Sequence, residues 1–174
     1  MARLQDKVAV VTGGGSGIGR ATALKFAQEH AAVVVVDKDP EGAEHTAELL
    51  GEIGAASAWF ESDVSDNNQA RLVAEQIRKQ FGGIDVLVTA AAISVGKTIP
   101  DTSPDEWDAV FDVNVKGTYL WIRAAIPLME QNGGSIIALA SQLAISGGVS
   151  NAAYIASKGA IVSLCRTAAN DHAS

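Results

Sequence analysis

The sequence predicts an α/β fold, a doubly wound parallel sheet of about five strands with helices on both faces. Short apolar runs alternate with segments of helical spacing, and one run, Val33–Val36, contains only β-branched residues. Such a short apolar strand is typical of a parallel sheet buried on both faces. Right-handed crossovers then place the connecting helices on both faces. The length of 174 residues, 48% of them hydrophobic, indicates one domain over residues 1–174.

The first half of the chain contains three strands and two helices in alternation. Val8–Val11 is the first strand, an apolar run that a glycine-rich loop follows. Gly17–His30 is the first helix, because its apolar residues recur at helical spacing. After Val33–Val36 comes a second helix, Pro40–Leu50, since proline is favoured in a first turn. Ala56–Phe60 is the third predicted strand.

The second half continues the alternation. Asp66–Phe81 is an amphipathic helix with one apolar side. Ile84–Val88 is the fourth strand, Ser103–Met129 a long helix, Ser135–Ala140 the fifth strand and Ala152–Ala169 the last helix. Long loops follow the fourth and fifth strands. We expect both loops at the carboxyl edge of the sheet, where ligands bind in this architecture.

Charge and composition exclude several classes of partner. The net charge is −7 without any cluster of Lys or Arg, so we expect no nucleic-acid partner. Cys165 is the only cysteine, which excludes an internal disulfide and predicts a buried structural thiol. His30, His45 and His172 lack metal-ligand spacing, so we expect no metal. The sequence shows no signal peptide and no membrane span, which predicts a cytoplasmic protein without membrane association.

The loop after the first strand has the spacing of a phosphate-binding turn. Gly13, Gly17 and Gly19 form Gly-x-x-x-Gly-x-Gly between a strand and a helix. Glycines permit a tight turn, and the N–H groups at a helix start bind a pyrophosphate, as in Rossmann-type folds. Taken alone, the motif is equally compatible with a plain glycine-rich turn. The residues predicted to contact a dinucleotide here are Gly13, Ser16, Gly17, Ile18 and Gly19.

Asp37 ends the second strand, where an acidic residue accepts hydrogen bonds from the adenine ribose hydroxyls. Pro40 also makes Asp37 a candidate helix cap, and the two roles are compatible. A carboxylate repels a ribose 2′-phosphate, and Ser16 is not basic, so the sequence favours NAD over NADP. Lys38 is the one residue that could weaken the preference for NAD, but we interpret it as a solvated surface charge.

Asp63 and Val64 end the third strand at the same edge of the sheet. An Asp-Val pair there could clamp one edge of an adenine ring. From spacing alone, however, we rank first the interpretation that Asp63 caps the helix beginning near Asp66.

Tyr154 and Lys158 form a Tyr-x-x-x-Lys pair on the last helix, so both side chains lie on one face. A cation one turn away stabilises a phenolate, which makes tyrosine a general base for an alcohol or a general acid for a carbonyl. Ser141, at the end of the fifth strand, could hold the substrate oxygen beside Tyr154. By itself such a pair also occurs by chance on exposed helices.

Asn114 interrupts the apolar run of the long helix, and Gly117 follows closely. Both residue types are weak helix formers, so we predict a local kink or π-bulge there. The flanking Val113 and Val115 argue against a solvent-facing asparagine.

These motifs together resemble the classical short-chain dehydrogenase/reductase family, in order and spacing, over essentially the whole chain. The resemblance implies an NAD(P)-dependent oxidoreductase acting on a small alcohol or carbonyl substrate. It implies Tyr154 as acid/base, Lys158 as the ligand of the nicotinamide ribose that also favours the phenolate, and Ser141 as the residue orienting substrate. It further implies that Asn114 holds a relay water. Adenine contacts are implied for Asp63 and Val64, which overrides the capping interpretation.

The sequence departs from the family pattern in two places. The family usually reads Asn-Asn-Ala-Gly after the fourth strand, but here the residues are Thr89-Ala90-Ala91-Ala92. We expect a looser sheet centre and crowding of the cofactor by the Ala92 side chain. Family members also continue for some tens of residues beyond the last helix, so we expect a C-terminal truncation that exposes the edge of the fifth strand.

Three functions remain open on the sequence. The first is an NAD-dependent dehydrogenase or carbonyl reductase, which we expect to bind cofactor without efficient turnover if these 174 residues are the whole protein. The second is a non-catalytic dinucleotide-binding fragment of such an enzyme. The third, a nucleotide-sugar epimerase of the extended family, is disfavoured by the glycine spacing and Ser16.

We also expect a homodimer or homotetramer, because two helices carry surplus apolar surface and the resemblance places both at a two-fold interface. The candidate interface residues are Phe111, Tyr119, Trp121, Ile161 and Leu164.

Overall fold

The computed structural model describes residues 2–129 and 133–172. Its 5-stranded sheet is parallel throughout, in the order β3-β2-β1-β4-β5. The strands are β1 (Val8–Thr12), β2 (Ala32–Asp37), β3 (Ser57–Glu61), β4 (Val86–Thr89) and β5 (Ser135–Ala138). The predicted α/β fold with a parallel sheet is therefore confirmed.

Helices connect consecutive strands, and the last two helices follow β5. They are α1 (Gly17–Gln28), α2 (Pro40–Glu52), α3 (Asn67–Phe81), α4 (Pro104–Phe111), α5 (Gly117–Met129), α6 (Leu143–Ser146) and α7 (Ala152–Asp171). A π-helical turn, Asp112–Lys116, separates α4 from α5. The long helix is thus interrupted around Asn114, and the predicted π-bulge is confirmed.

The valines of β2 explain why the sheet needs helices on both faces. Val34 and Val36 pack with side chains of α3 and α5. Val33 and Val35 point the other way and pack with side chains of α1 and α2. All four valines have 0% exposure, as the unbroken β-branched run predicts.

The strand order reverses at β1, which pairs with β2 on one side and β4 on the other. In open α/β sheets the ligand crevice lies outside the carboxyl ends of the strands at such a reversal. The glycine loop leaves β1 at this point, so the fold places it at the crevice. At one edge of the sheet, β5 has Ile137 45% exposed.

The region after β5 differs from the prediction. The strand ends at Ala138 rather than Ala140, and the carbonyl of the next residue, Leu139, accepts a hydrogen bond from Lys158 Nζ at 2.6 Å. The short helix α6 begins at Leu143, within a stretch that the sequence indicated only as a loop. Long-range contacts of this kind have no signature in the local sequence.

Candidate active site

The three glycines of the motif after β1 are each required for a different structural reason. Gly13 has φ +66°, and a Cβ there would lie 2.6 Å from the backbone nitrogen of Ala91. A Cβ on Gly19 would lie 2.0 Å from the carbonyl oxygen of Gly13, so the loop closes only without it. Gly17 faces open space but has φ +51°, which favours glycine. The loop therefore has the tight turn and close backbone approach that a phosphate cradle requires.

A cleft of about 410 Å³ lies beside this loop. It is bounded by the loop, by the residues following β2 and β3, and by the segment after β4. The predicted cofactor residues that line it are Gly13, Ser16, Gly17, Ile18, Gly19, Asp37, Asp63 and Val64. Tyr154 and Lys158, also predicted to contact the cofactor, lie outside its lining.

The carboxylate of Asp37 is tied to the glycine loop. Oδ2 accepts a hydrogen bond from the Gly15 nitrogen at 2.9 Å, and Oδ1 accepts one from the Asp39 nitrogen at 3.1 Å. The cap position of α2 is occupied by Asp39, not Asp37. Since each carboxylate oxygen accepts more than one hydrogen bond, Asp37 keeps capacity for ribose hydroxyls.

The capping interpretation of Asp63 is wrong. Asp66 caps α3, where its side chain accepts hydrogen bonds from the nitrogens of Asn68 and Gln69. Asp63 Oδ1 instead accepts from the Ser65 nitrogen at 2.8 Å and from Ser65 Oγ at 2.6 Å, and these bonds hold the Asp63 pKa below its ordinary value. The Asp63 side chain is exposed at the cleft as an anion. The spacing argument failed because Asp66 lies closer to the helix start.

The segment after β4 keeps its place despite its unusual residues. Its backbone at Ala90 and Ala91 contacts the site of Gly13, and β1 pairs with β4 through to Thr89. The Thr89 hydroxyl is buried and has no hydrogen-bond partner within the described structure. Ala92 is exposed and lines the cleft.

Asn114 joins three parts of the molecule. Its Oδ1 accepts from the Ile93 nitrogen at 2.8 Å, and its Nδ2 donates to the Ile93 oxygen at 3.0 Å. Nδ2 also donates to Ser157 Oγ of α7 at 2.9 Å. The side chain is 0% exposed, so these bonds satisfy a buried amide and connect the π-helical turn to the loop after β4 and to α7.

Helix α7 brings the predicted acid/base pair together. Lys158 Nζ lies 5.5 Å from the centre of the Tyr154 ring. The lysine is 2% exposed, and burial lowers the pKa of its ammonium from the ordinary 10.5. The Tyr154 carbonyl accepts a hydrogen bond from Ser157 Oγ at 2.7 Å.

Ser141 lies in the loop beyond β5 rather than at the end of the strand, which corrects the predicted boundary. Its Oγ accepts a hydrogen bond from the Leu143 nitrogen at 3.2 Å. Its own hydroxyl proton has no acceptor among the hydrogen bonds of the described residues. The hydroxyl therefore keeps a donor for a ligand oxygen.

Sequence reasoning missed three polar side chains that support the site: Arg20, Thr46 and Ser157. Thr46 is 0% exposed and lies in the buried stripe of α2 with Ala43 and Leu50. A threonine in an otherwise apolar stripe signals a buried hydrogen bond, so this residue could have been found. The partners of Arg20 and Ser157 are set by tertiary packing.

The described residues hold no cluster of His, Cys, Asp or Glu that could bind a metal ion. Across the same part of the chain, no helix has the length and apolar character needed to cross a membrane.

The fold and the glycine cleft define a nucleotide-binding α/β protein of the Rossmann type. A family model described as short chain dehydrogenase matches residues 7–174. The chain belongs to the short-chain dehydrogenase family.

Relatives and solved structures agree with this assignment. An uncharacterized oxidoreductase, YxbG, of Bacillus subtilis is 37% identical over 99% of this chain. The human (3R)-3-hydroxyacyl-CoA dehydrogenase is 38% identical over 97% of it. An NAD+-bound xylitol dehydrogenase superposes with a TM-score of 0.94 at 33% identity, covering 97% of this chain and 66% of that one. A short chain dehydrogenase from Mycobacterium paratuberculosis bound to NAD has the same TM-score, 0.94, at 28% identity, covering 97% of this chain and 68% of its own.

The chain spans only part of the length of these relatives. It covers 64% of the Bacillus protein and 69% of the human one.

Proposed function

We propose that the protein is an NAD-dependent oxidoreductase that interconverts an alcohol and a carbonyl compound by hydride transfer, with Tyr154 as general acid/base. The observation that carries this proposal is the pairing of Tyr154 with a buried Lys158 ammonium 5.5 Å from its ring. Among the described residues the lysine has no carboxylate partner, and burying an unpaired charge is costly, so its place beside a phenol argues for a role in proton transfer.

The residues around the reacting oxygen have distinct parts in this mechanism. In the oxidation direction, Tyr154 takes the proton of the substrate hydroxyl as hydride leaves the carbinol carbon. Lys158 stabilises the phenolate before that step, and Ser141 donates a hydrogen bond to the substrate oxygen. When bound, the nicotinamide cofactor accepts the hydride or, in the reverse reaction, supplies it. In that reverse direction Tyr154 returns the proton.

We assign NAD rather than NADP to the cleft. Asp37 would face the adenine ribose, and its charge would repel a 2′-phosphate. The backbone of the exposed residues Ser16, Gly17 and Ile18 would hold the pyrophosphate at the start of α1. Asp63 and Val64 would contact the adenine, since both line the cleft beyond Asp37. Two NAD-bound structures of similar fold support this choice.

We propose that Asn114 acts chiefly by aligning α7. Both hydrogens of its Nδ2 are donated to protein oxygens, at Ile93 and Ser157. Its backbone carbonyl accepts from Thr118 Oγ1 at 2.7 Å. A relay water at Asn114 would therefore donate its own hydrogen to the remaining lone pair of Oδ1.

A non-catalytic dinucleotide-binding module is the second candidate. The observation that favours it is the exposure of the segment following Ser141, where Ile145 is 88% and Val149 90% exposed. Substrate-binding sites are enclosed, apolar pockets, whereas these two apolar side chains lie open to solvent. This candidate predicts NAD binding without turnover.

We also propose a homodimer or homotetramer in a reducing cytoplasm, in keeping with the free thiol of Cys165. Trp107, stacked on Phe111 at 4.9 Å, is 38% exposed, and Tyr119 is 45% exposed. Aromatic side chains of this kind are enriched at interfaces. Trp121 and Ile161, expected at the same surface, are instead buried in the subunit at 0% and 1% exposure, so those two expectations are wrong.

Turnover of NAD with a panel of primary, secondary and polyhydric alcohols tests the proposed function. We expect NADH formation with at least one alcohol for the wild type and none for Tyr154→Phe, although both bind NAD equally. Ser141→Ala should retain a small residual rate. NAD binding by the wild type without turnover on any alcohol would favour the non-catalytic module, and an active Tyr154→Phe variant would remove the assigned acid/base.

A further inference from the structure

We propose that Arg20 and Thr46 are positioning residues that turn the carbonyl groups of the glycine loop away from the cofactor phosphates. The inference rests on the proposed dinucleotide function and concerns how this chain makes its cradle suitable for an anion. Neither residue lines the cleft. Both act through the backbone of Gly14 and Gly15.

The hydroxyl of Thr46 lies between the loop and α2. Its Oγ1 is within hydrogen-bond distance of the Gly14 oxygen, at 2.9 Å, and of the Gly42 oxygen, at 3.0 Å. The same oxygen accepts a hydrogen bond from Arg20 Nε at 2.9 Å. The Gly14 oxygen is the nearer of the two carbonyl acceptors, so Thr46 can donate its one hydrogen to the loop while it accepts from the arginine.

Arg20 contacts the next carbonyl group of the loop, that of Gly15. Its Nη2 donates to the carbonyl oxygen of Gly15. A Cβ on Gly42 would lie 3.0 Å from that same oxygen, so glycine at this position lets α2 approach the loop closely. The carbonyls of Gly14 and Gly15 are thus both held by donors from Thr46 and Arg20.

The burial of the loop residues shows which side of the loop its carbonyl groups face. Gly14 and Gly15 are buried against α2, whereas Ser16, Gly17 and Ile18 are exposed. In a trans peptide the C=O and N–H bonds point in opposite directions. Fixing the carbonyl of Gly15 on the α2 side therefore turns the N–H of Ser16 away from α2, toward the side where Ser16 lines the cleft.

This orientation matters because of charge. Backbone N–H groups at a helix start attract phosphate, and a carbonyl oxygen turned the same way would repel it. A glycine loop is flexible enough to flip its peptides, since glycine has no Cβ to restrict them. The hydroxyl of Thr46 and the guanidinium of Arg20 remove that freedom, so the loop is organised before the cofactor arrives.

Thr46→Val tests the inference, because valine has nearly the same shape but cannot donate. We expect the Kd for NAD to rise about tenfold, the equivalent of one lost hydrogen bond in the cradle. The Kd for adenosine, which has no phosphate and would meet the loop only through Asp37, should rise much less than the Kd for NAD. Thr46→Ser, which restores the hydroxyl, should recover most of the NAD affinity. Arg20→Lys should weaken NAD binding in the same selective way, since lysine lacks the paired donors.

The matched control is Thr22→Val, a half-buried threonine of α1 whose hydroxyl donates only to the Ile18 carbonyl of its own helix. We expect the control to bind NAD as the wild type does. Titrations are run well below the melting temperature of each variant, so unfolding does not enter the affinities. Unchanged NAD affinity in Thr46→Val, or an equal loss for adenosine and NAD, would overturn the inference alone. A wild type that binds adenosine but not NAD would overturn the proposed function and this inference together.

Discussion

At the scale of single residues, Lys158 shows most clearly how function and stability conflict. The side chain is 2% exposed, and its Nζ donates to the Leu139 carbonyl at 2.6 Å. The described residues offer it no carboxylate. One carbonyl compensates only part of the cost of removing an ammonium group from water. Residues that lower stability in this way are expected at functional sites.

Replacing Lys158 by Met should therefore raise the free energy of unfolding near neutral pH by about 1–2 kcal/mol. Burial lowers the pKa of Lys158 in the folded state below the ordinary 10.5. At pH values between the two, the lysine keeps its proton in the unfolded chain but loses it in the folded one. Wild-type stability should accordingly increase between the folded-state pKa and 10.5, and the advantage of the Met variant should shrink there. Urea unfolding at both ends of this range measures the effect. A Met variant that is less stable at every pH would contradict it.

We expect the charge of Asp37 to decide the choice between NAD and NADP. Asp37→Asn removes the charge but retains an oxygen that can accept from the Gly15 nitrogen. We expect the ratio of NADP to NAD affinity to rise about tenfold in this variant, since a 2′-phosphate no longer meets an anion. Asp37→Ala should also shift the ratio but should weaken both cofactors, because the loop loses its anchor. Fluorescence titration decides, and a wild type that prefers NADP would refute the assignment.

At the scale of elements, hydrogen bonds that are buried or partly buried tie α7 to the π-helical turn and to the loop after β4. Ile93 of the loop after β4 is bonded to Asn114, Asn114 to Ser157, and Ser157 to the carbonyl of Tyr154. The loop after β4 also contacts the start of α7 directly, through Ser94 Oγ and Asn151 Oδ1 at 2.7 Å. The π-helical turn is what brings the asparagine side chain into this chain of contacts.

A double-mutant cycle on Asn114 and Ser157 tests that role. We expect Asn114→Ala to cost about 3 kcal/mol, because it removes a buried amide and leaves the partly buried Ile93 backbone groups unpaired, and Ser157→Ala about 1 kcal/mol. The double variant should lose less than the sum, with a coupling energy of about 1 kcal/mol. Ser146→Ala, which removes an exposed hydroxyl, should change stability by less than about 0.5 kcal/mol. Strict additivity would mean that the two residues do not cooperate.

At the scale of the whole molecule, the sheet was predictable and its polar contacts were not. The run Val33–Val36 predicts a doubly covered strand because side-chain burial there depends only on residue type and strand geometry. The π-helical turn was predictable because Asn114 interrupts an apolar helix. The capping of α3 by Asp66 was missed because two acidic residues lie three positions apart before this helix, and the cap is Asp66, the one nearer the helix start.

The supporting residues of the site were hidden for a related reason. Arg20 and Thr46 contact each other across 26 positions of sequence, and Asn114 and Ser157 across 43. No local pattern links such pairs. The sequence does place Thr46 in the buried stripe of a helix. That position indicates a hydrogen bond but does not identify its partner.

The assembly prediction also belongs to this scale. We expect the wild type to sediment as a dimer or tetramer at micromolar concentration. Tyr119→Glu should shift it toward monomer, because a charge would be buried at an apolar interface. Leu72→Glu on α3 is the control, since Leu72 is 47% exposed against 45% for Tyr119. A monodisperse wild-type monomer, or equal dissociation by both variants, would contradict the proposed interface.

The central claim is that one site holds a dinucleotide and a proton-transferring tyrosine, and a crystal structure with NAD tests it most directly. The account predicts the adenine ribose at Asp37, the pyrophosphate over Ser16 to Gly19, and the nicotinamide ring beside Tyr154 and Lys158. Lys158 Nζ should then lie within hydrogen-bond distance of the nicotinamide ribose. NAD bound elsewhere, or bound in this cleft with its nicotinamide ring remote from Tyr154, would contradict the account.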